Sequence, residues 1–254
     1  MARIIGIINA KGGVGKTTTA NNLGAALAAT GKYVLLVDLD PQANATAGLG
    51  IRLNDEHLNL YHAVIDDQHP EAIIRKANLL GFDILPSAAS LAGANVELVS
   101  MPEREYKLKK AIDKVRTNYD YILIDSPPSL GLLTINGLVA AEQVIIPVQC
   151  EYYALEGLGQ LLQTVELVRN SLNPDLKILG ALLTMYDKRN TLARQVVEEV
   201  RKNFPGRVFE TIVPRAVSLA EAPSFGKTIM EFDPKSIGAD AYNKLAQEVI
   251  NILN

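Results

Sequence analysis

Seven short runs rich in Ile, Val and Leu recur along the chain, separated by stretches with helical spacing. The runs are Ile4–Ile8, Tyr33–Val37, Phe82–Leu85, Tyr121–Ile124, Val144–Val148, Ile178–Thr184 and Arg207–Ile212. Most are apolar at successive positions, which suits strands covered on both faces. Lys16–Ala29, Glu103–Thr117, Leu155–Leu172, Leu192–Phe204 and Ala239–Leu253 carry the helical pattern. Alternation of this kind predicts one α/β domain over residues 1–254, a mostly parallel, twisted β-sheet with helices on both faces. Glycine and proline are spread evenly and no repeat or linker interrupts the pattern. The segment Arg52–Ala77 is polar and irregular and reads as a surface excursion. Its histidines, His57, His62 and His69, lack ligand-pair spacing and are expected to be solvated.

Composition narrows the function classes. With 25 basic against 28 acidic residues the net charge is −3, which argues against coating nucleic acid through global charge and leaves room only for a local basic patch. A single cysteine, Cys150, allows neither a disulfide framework nor a Cys/His zinc site, and points to the cytoplasm. No run reaches the ~18 apolar residues of a membrane span, and Met1–Gly6 leads straight into a strand pattern, so neither a membrane association nor a leader is expected.

Between the first apolar run and the first helical stretch stands Asn9-Ala10-Lys11-Gly12-Gly13-Val14-Gly15-Lys16-Thr17-Thr18-Thr19. Glycines let successive backbone N–H groups converge on phosphate oxygens, and the helix start behind them adds partial positive charge. Lys16 in the first helical turn opposes the helix dipole unless an anion is present. In such a loop Lys16 reaches the β- and γ-phosphates and the Thr17 hydroxyl ligates magnesium. Two further acidic segments, Val37-Asp38-Leu39-Asp40-Pro41-Gln42 and Ile124-Asp125-Ser126-Pro127-Pro128, close apolar strands, where ligand groups of open α/β sheets gather.

The run Lys11-Gly12-Gly13-Val14-Gly15-Lys16-Thr17-Thr18 resembles the deviant Walker A signature of the MinD/ParA superfamily of P-loop ATPases, with Ala10 where the common loop has glycine. The resemblance implies the P-loop NTPase fold, ATP as substrate with Mg2+, and a homodimer formed with ATP. In it Lys11 acts on the partner's nucleotide, Lys16 and the rest of the loop hold the phosphates, and Asp40 orients or deprotonates the attacking water. Asp125 resembles a Walker B aspartate holding the metal with Thr17. Asp38 joins the metal shell, contacts the loop threonines, or caps the next helix as aspartates at strand ends commonly do.

Asp38-Leu39-Asp40-Pro41-Gln42, Thr184-Met185-Tyr186-Asp187, Pro214-Arg215 and Leu219-Ala220-Glu221-Ala222-Pro223-Ser224 stand in the order of the ParA/Soj partition ATPases. This implies that Thr184, Met185, Pro214 and Arg215 flank the adenine. Of two arginines that serve DNA binding in Soj-like members, one corresponds to Arg189 and the other falls on Ser218. The function implied is a slow ATPase switch for chromosome or plasmid partition. Its ATP dimer binds DNA nonspecifically, associates with the nucleoid, and is stimulated by a ParB-like adaptor protein. A second class would use the same dimer to position a protein cargo such as a chemosensory cluster, carboxysome or division regulator, and neighbouring genes distinguish the two. Cys150 alone excludes an iron–sulfur reductase that needs two cysteines per subunit. The segment Tyr242–Asn254 carries one lysine, Lys244, beside Glu248, unlike a basic membrane-binding helix, and is expected to dock on the sheet.

Overall fold

The seven apolar runs and one short further strand hydrogen-bond into one eight-stranded sheet: β1 (Arg3–Ile7), β2 (Val34–Asp38), β3 (Arg75–Lys76), β4 (Phe82–Leu85), β5 (Tyr121–Asp125), β6 (Gln143–Gln149), β7 (Lys177–Tyr186) and β8 (Val208–Pro214), in the order β3-β4-β2-β5-β1-β6-β7-β8. The computed structural model describes residues 1–54, 56–151 and 158–253. All neighbours pair in parallel except β3, which joins β4 antiparallel through Arg75↔Ile84 and Lys76↔Asp83. That two-residue edge strand is too short to announce itself by period, so the sequence pattern did not reveal it.

The side-chain period of two divides the core into layers. Along β1, Ile4 and Ile8 enter one apolar layer and Ile5 and Ile7 the other; along β2, Leu35 and Val37 oppose Val34 and Leu36. Helices Lys107–Asp113, Leu132–Ala140, Leu158–Ser171 and Thr191–Asn203 cover the first face. Helix α1 (Lys16–Ala29) and the helix Ile237–Leu253 cover the second. Ile237–Leu253 docks as expected, burying Tyr242, Leu245 and Val249, with the Tyr242 hydroxyl 3.3 Å from Thr19 Oγ1.

Several expectations need correction. Glu103–Thr117 is helical only over Lys107–Asp113, flanked by 3-10 turns. Of the expected helix Leu155–Leu172, Leu158–Ser171 is observed, and residues 155–157 lie outside the described residues. Leu132–Ala140 was not anticipated: it is apolar nearly all round and buried, so no 3.6-residue contrast marks it. Arg52–Ala77 is more than a surface excursion. It contains the helices Leu60–Val64 and Pro70–Ile73, whose Leu60, Val64 and Ile73 belong to the core. His62 and His69 serve local backbone geometry, each accepting an N–H at Nδ1, from Asn59 and Glu71. Among the described residues no helix is long and apolar enough to cross a membrane.

The chain leaves β1 for β2 on one side and leaves β5 for β6 on the other, so the order reverses around β1. A crevice opens at the carboxyl ends of strands at such a point. Helix α1 starts there and presses closely on the sheet: a Cβ built on Gly24 would lie 2.5 Å from Phe82 Cζ and 2.6 Å from Cε2. Helix propensity favours Gly24→Ala by about 1 kcal/mol, but Phe82 is 1% exposed and has nowhere to move. Overpacking at about 1–3 kcal/mol outweighs the gain. We expect Gly24→Ala to lower the urea unfolding midpoint.

Candidate functional site

The turn from β1 into α1 is held by its neighbours. Asn9, at the end of the strand, donates from Nδ2 to the Pro147 carbonyl at 2.7 Å and accepts the Lys11 N–H at 3.0 Å. Thr184, near the end of β7, donates its hydroxyl to the Val14 carbonyl at 2.9 Å. Gly13 and Gly15 adopt φ values of 73° and 89°, which side chains resist. Gly15 caps α1 without a side-chain bond, so the first-turn N–H groups and the helix dipole face the mouth of the loop. Lys16 is 6% exposed and donates from Nζ to the Lys11 carbonyl at 3.0 Å. Lys11 is half-buried; Gly12 and Gly13 are exposed, and Val14 is buried beneath them.

Acidic residues converge on the same end of the sheet. Asp38 and Asp125 are register partners on β2 and β5, and both are fully buried. Thr17 donates its hydroxyl to Asp125 Oδ2 at 2.7 Å, while Asp125 Oδ1 has no hydrogen-bond partner. Burial pushes the Asp125 carboxyl well above its usual range, and the neighbouring Asp38 adds to the shift. Burial lowers the Lys16 ammonium, opposed by the attraction of Asp125 and Asp40.

The orphaned Asp125 oxygen beside the Thr17 hydroxyl makes an oxygen-only donor pair that fits a small hard cation. Among the described residues no three Asp, Glu, His or Cys side chains are grouped to hold a metal alone. A cation here would take its remaining oxygens from phosphate and water, the usual arrangement for magnesium.

The hydrogen bonds of Asp38 go to Asp40 and Thr46 rather than to the loop threonines. Its Oδ2 accepts the Thr46 N–H at 2.8 Å and the Thr46 hydroxyl at 2.6 Å, and its Oδ1 accepts the Asp40 N–H at 3.3 Å. Both carboxylate oxygens are engaged by the segment that follows β2, and Thr46 stands in the first turn of the helix Asn44–Gly48, whose N-cap is Ala43. Asp40, 7% exposed, accepts the Gln42 N–H at Oδ1 at 2.9 Å.

Thr184, Met185, Pro214 and Arg215 come together around a 230 Å³ cavity that also touches Gly15 and Thr18 of the loop. Thr184 spends its hydroxyl on the loop, so it supports the phosphate turn as much as the cavity wall. Met185 sits at φ 54°, where β7 loses register with β8. Arg215 pairs with Glu151 at 2.7 Å. Arg189 lies apart from this cavity, 85% exposed, its guanidinium on both carboxylate oxygens of Asp187 at 3.0 and 2.9 Å. That contact holds the Asp187 carboxyl down at about 2. Ser218 lies on the short helix Val217–Glu221. Asn9, Thr46 and Tyr242 were missed by sequence reasoning; of these only Asn9, an amide directly ahead of the glycine run, carried a local signal.

A glycine turn opening into a helix at the sheet's switch point, with buried carboxylates on adjacent strand ends, defines an α/β protein of the P-loop nucleoside triphosphatase class. A family model described as an AAA domain matches residues 2–178. The chain is 57% identical over 249 residues to the sporulation initiation inhibitor protein Soj of Bacillus subtilis, covering 98% of each chain. It is 52% identical over 248 residues to the chromosome-partitioning ATPase Soj of Thermus thermophilus, covering 98% of this chain and 95% of that one. Among solved structures, cobyrinic acid a,c-diamide synthase of Mycobacterium smegmatis with bound ADP and magnesium is 40% identical, with a TM-score of 0.88 over 99% of this chain and 95% of that one. The chain belongs to the ParA/Soj family of the MinD/ParA P-loop ATPases.

The carboxylates make the nucleotide-free protein pH-sensitive in a defined direction. Burial raises Asp38 from 3.8 to about 6, against the opposing bonds from Thr46 and Asp40. The folded state therefore binds a proton that the unfolded chain, with its ordinary carboxyl, releases until lower pH. Stability of the nucleotide- and magnesium-free protein should rise as pH falls from neutral through about 6, and level off towards 3.8. Urea unfolding across that window checks the sign, and Asp38→Asn should flatten the slope.

Proposed function

We propose that this chain is an ATP-dependent dimerising switch for DNA segregation, of chromosome or plasmid. The observation that carries the reading is the pairing of an anion-ready loop, Lys11 to Thr18, with an unpartnered buried carboxylate oxygen on Asp125 beside Thr17. Two relatives named for chromosome partitioning, each 52% identical to this chain, supply the biological context.

In this reading Gly12, Gly13, Val14 and Gly15 turn backbone N–H groups toward the phosphates, joined by those of Lys16, Thr17 and Thr18. Lys16 exchanges the Lys11 carbonyl for phosphate oxygens. Thr17 and Asp125 hold magnesium, which when bound neutralises charge on the β- and γ-phosphates. Asp40 orients water and draws its proton as the oxygen attacks the γ-phosphorus, while the bond to ADP breaks. Thr184, Met185, Pro214 and Arg215 flank the base. Lys11 reaches the nucleotide of a second copy, so the γ-phosphate stabilises the dimer and its hydrolysis releases the subunits. Turnover is slow until a ParB-like adaptor completes the geometry around Asp40.

Size-exclusion chromatography with ATP separates these roles. Asp40→Ala should bind ATP, fail to hydrolyse it and accumulate as a dimer. Lys11→Ala should bind ATP and stay monomeric, and a Lys11→Ala dimer of normal strength would remove the role in trans.

DNA binding is proposed for the face that carries Arg189. Residues Tyr186 to Lys235 hold nine basic and seven acidic residues, an excess of two in a chain of net −3. Arg189 must trade Asp187 for phosphate, an easy exchange at such an exposed pair. Dimerisation presents two copies of the patch together, so avidity compensates for Ser218. In sedimentation with DNA, binding should require ATP or a nonhydrolysable analogue and be absent with ADP. Losing Arg189 from both subunits should reduce the salt slope by roughly two. Arg189→Glu should abolish binding at moderate salt. Failure of the ATP-bound wild type to sediment with DNA at low salt would favour the cargo-positioning class.

A further inference from the structure

Asp38 is fully buried at the end of β2, and none of the steps above uses it. Its carboxylate closes both ends of the turn that carries Asp40. Oδ1 accepts the Asp40 N–H at 3.3 Å where the turn begins, and Oδ2 accepts the Thr46 N–H and hydroxyl at 2.8 and 2.6 Å where it ends. Between them the chain folds tightly, with the Ala43 N–H donating to the Asp40 carbonyl at 2.9 Å. Ala43 stands at φ 53°, a left-handed conformation that a non-glycine residue keeps only when its surroundings enforce it. Gln42 and Asn44 are exposed, so the turn's own side chains pack little.

What enforces the turn lies beneath it. Thr46 is 3% exposed and its hydroxyl also accepts the Ser87 N–H at 3.0 Å, from the segment after β4. One hydroxyl thus joins the ends of two adjacent strands to the carboxylate that spans the turn. A group that aims a water must be held to within about half an ångström, and its supporting shell sets that tolerance.

We propose that Asp38 and Thr46 are positioning residues for hydrolysis: their clip holds the Asp40 turn in the orientation the reaction uses. The proposal rests on the reading of Asp40 given above.

Thr46→Val keeps the side-chain shape and the backbone bond to Asp38 but removes the hydroxyl. With the folded fraction set by nucleotide-binding stoichiometry, kcat should fall about ten- to a hundredfold, the effect of a small misplacement, while KM for ATP stays close to wild type. Thr46→Ser, which restores the hydroxyl, should recover kcat. A purely structural threonine would reduce the amount of folded protein and leave kcat per folded molecule unchanged. Should Thr46→Val not fold, Asp38→Asn carries the same expected split between kcat and KM. An unchanged kcat in the folded variant, alongside an inactive Asp40→Ala, overturns the clip alone. Wild-type turnover by Asp40→Ala overturns the reading of Asp40 and the clip with it.

Discussion

Two carboxylates buried side by side on neighbouring strands are the constraint around which this site is arranged. Asp38 and Asp125 are fully buried register partners; burial raises the cost of ionising each, and Asp38 adds to the cost for Asp125. Such a pair persists only where donors or cations answer it. The protein answers them differently. Asp38 receives three donors from the segment behind it and becomes part of the framework. Asp125 receives one hydroxyl and the attraction of Lys16, and one of its oxygens is left over. The incomplete one is Asp125, and an unmet oxygen of this kind is what a small hard cation can satisfy.

The loop opposite has the complementary deficit. Helix α1 starts without a side-chain cap and with a lysine in its first turn, an arrangement that wants an anion. Before one arrives, Lys16 borrows the Lys11 carbonyl. Rigidity comes from outside the loop, through Asn9 bonded to the β6 backbone and Thr184 bonded to Val14. A site preorganised in this way gains affinity because little of it must be ordered when a ligand binds.

Legibility in the sequence followed the range of the interactions. Lys11 to Thr18 could be read because glycines, lysine and threonines that act together are adjacent in the chain. The strands of the central sheet could be read because burial on both faces leaves an unbroken apolar run, as in Tyr121–Ile124. Leu132–Ala140 could not be read as a helix because burial all round erases the periodic contrast. Arg52–Ala77 misled because its polar residues outnumber the few, such as Leu60 and Ile73, that fasten it to the core. The convergence of Thr184, Met185, Pro214 and Arg215 was accessible only through family resemblance, since they arrive from the ends of β7 and β8.

By itself the sequence determined the α/β alternation, the phosphate loop and the acidic strand ends, all of which depend on residues within a few positions of one another. Only the tertiary structure decided which aspartate is spent and which is left open. Along the chain Asp38 and Asp125 share one local setting, the end of an apolar strand. Their difference arises because Thr46, eight residues beyond Asp38, folds back to satisfy it, while Thr17, 108 residues from Asp125, reaches only one oxygen of the other. Hydrogen bonds are made by atoms brought within about 3 Å, and that proximity is a property of the packed fold.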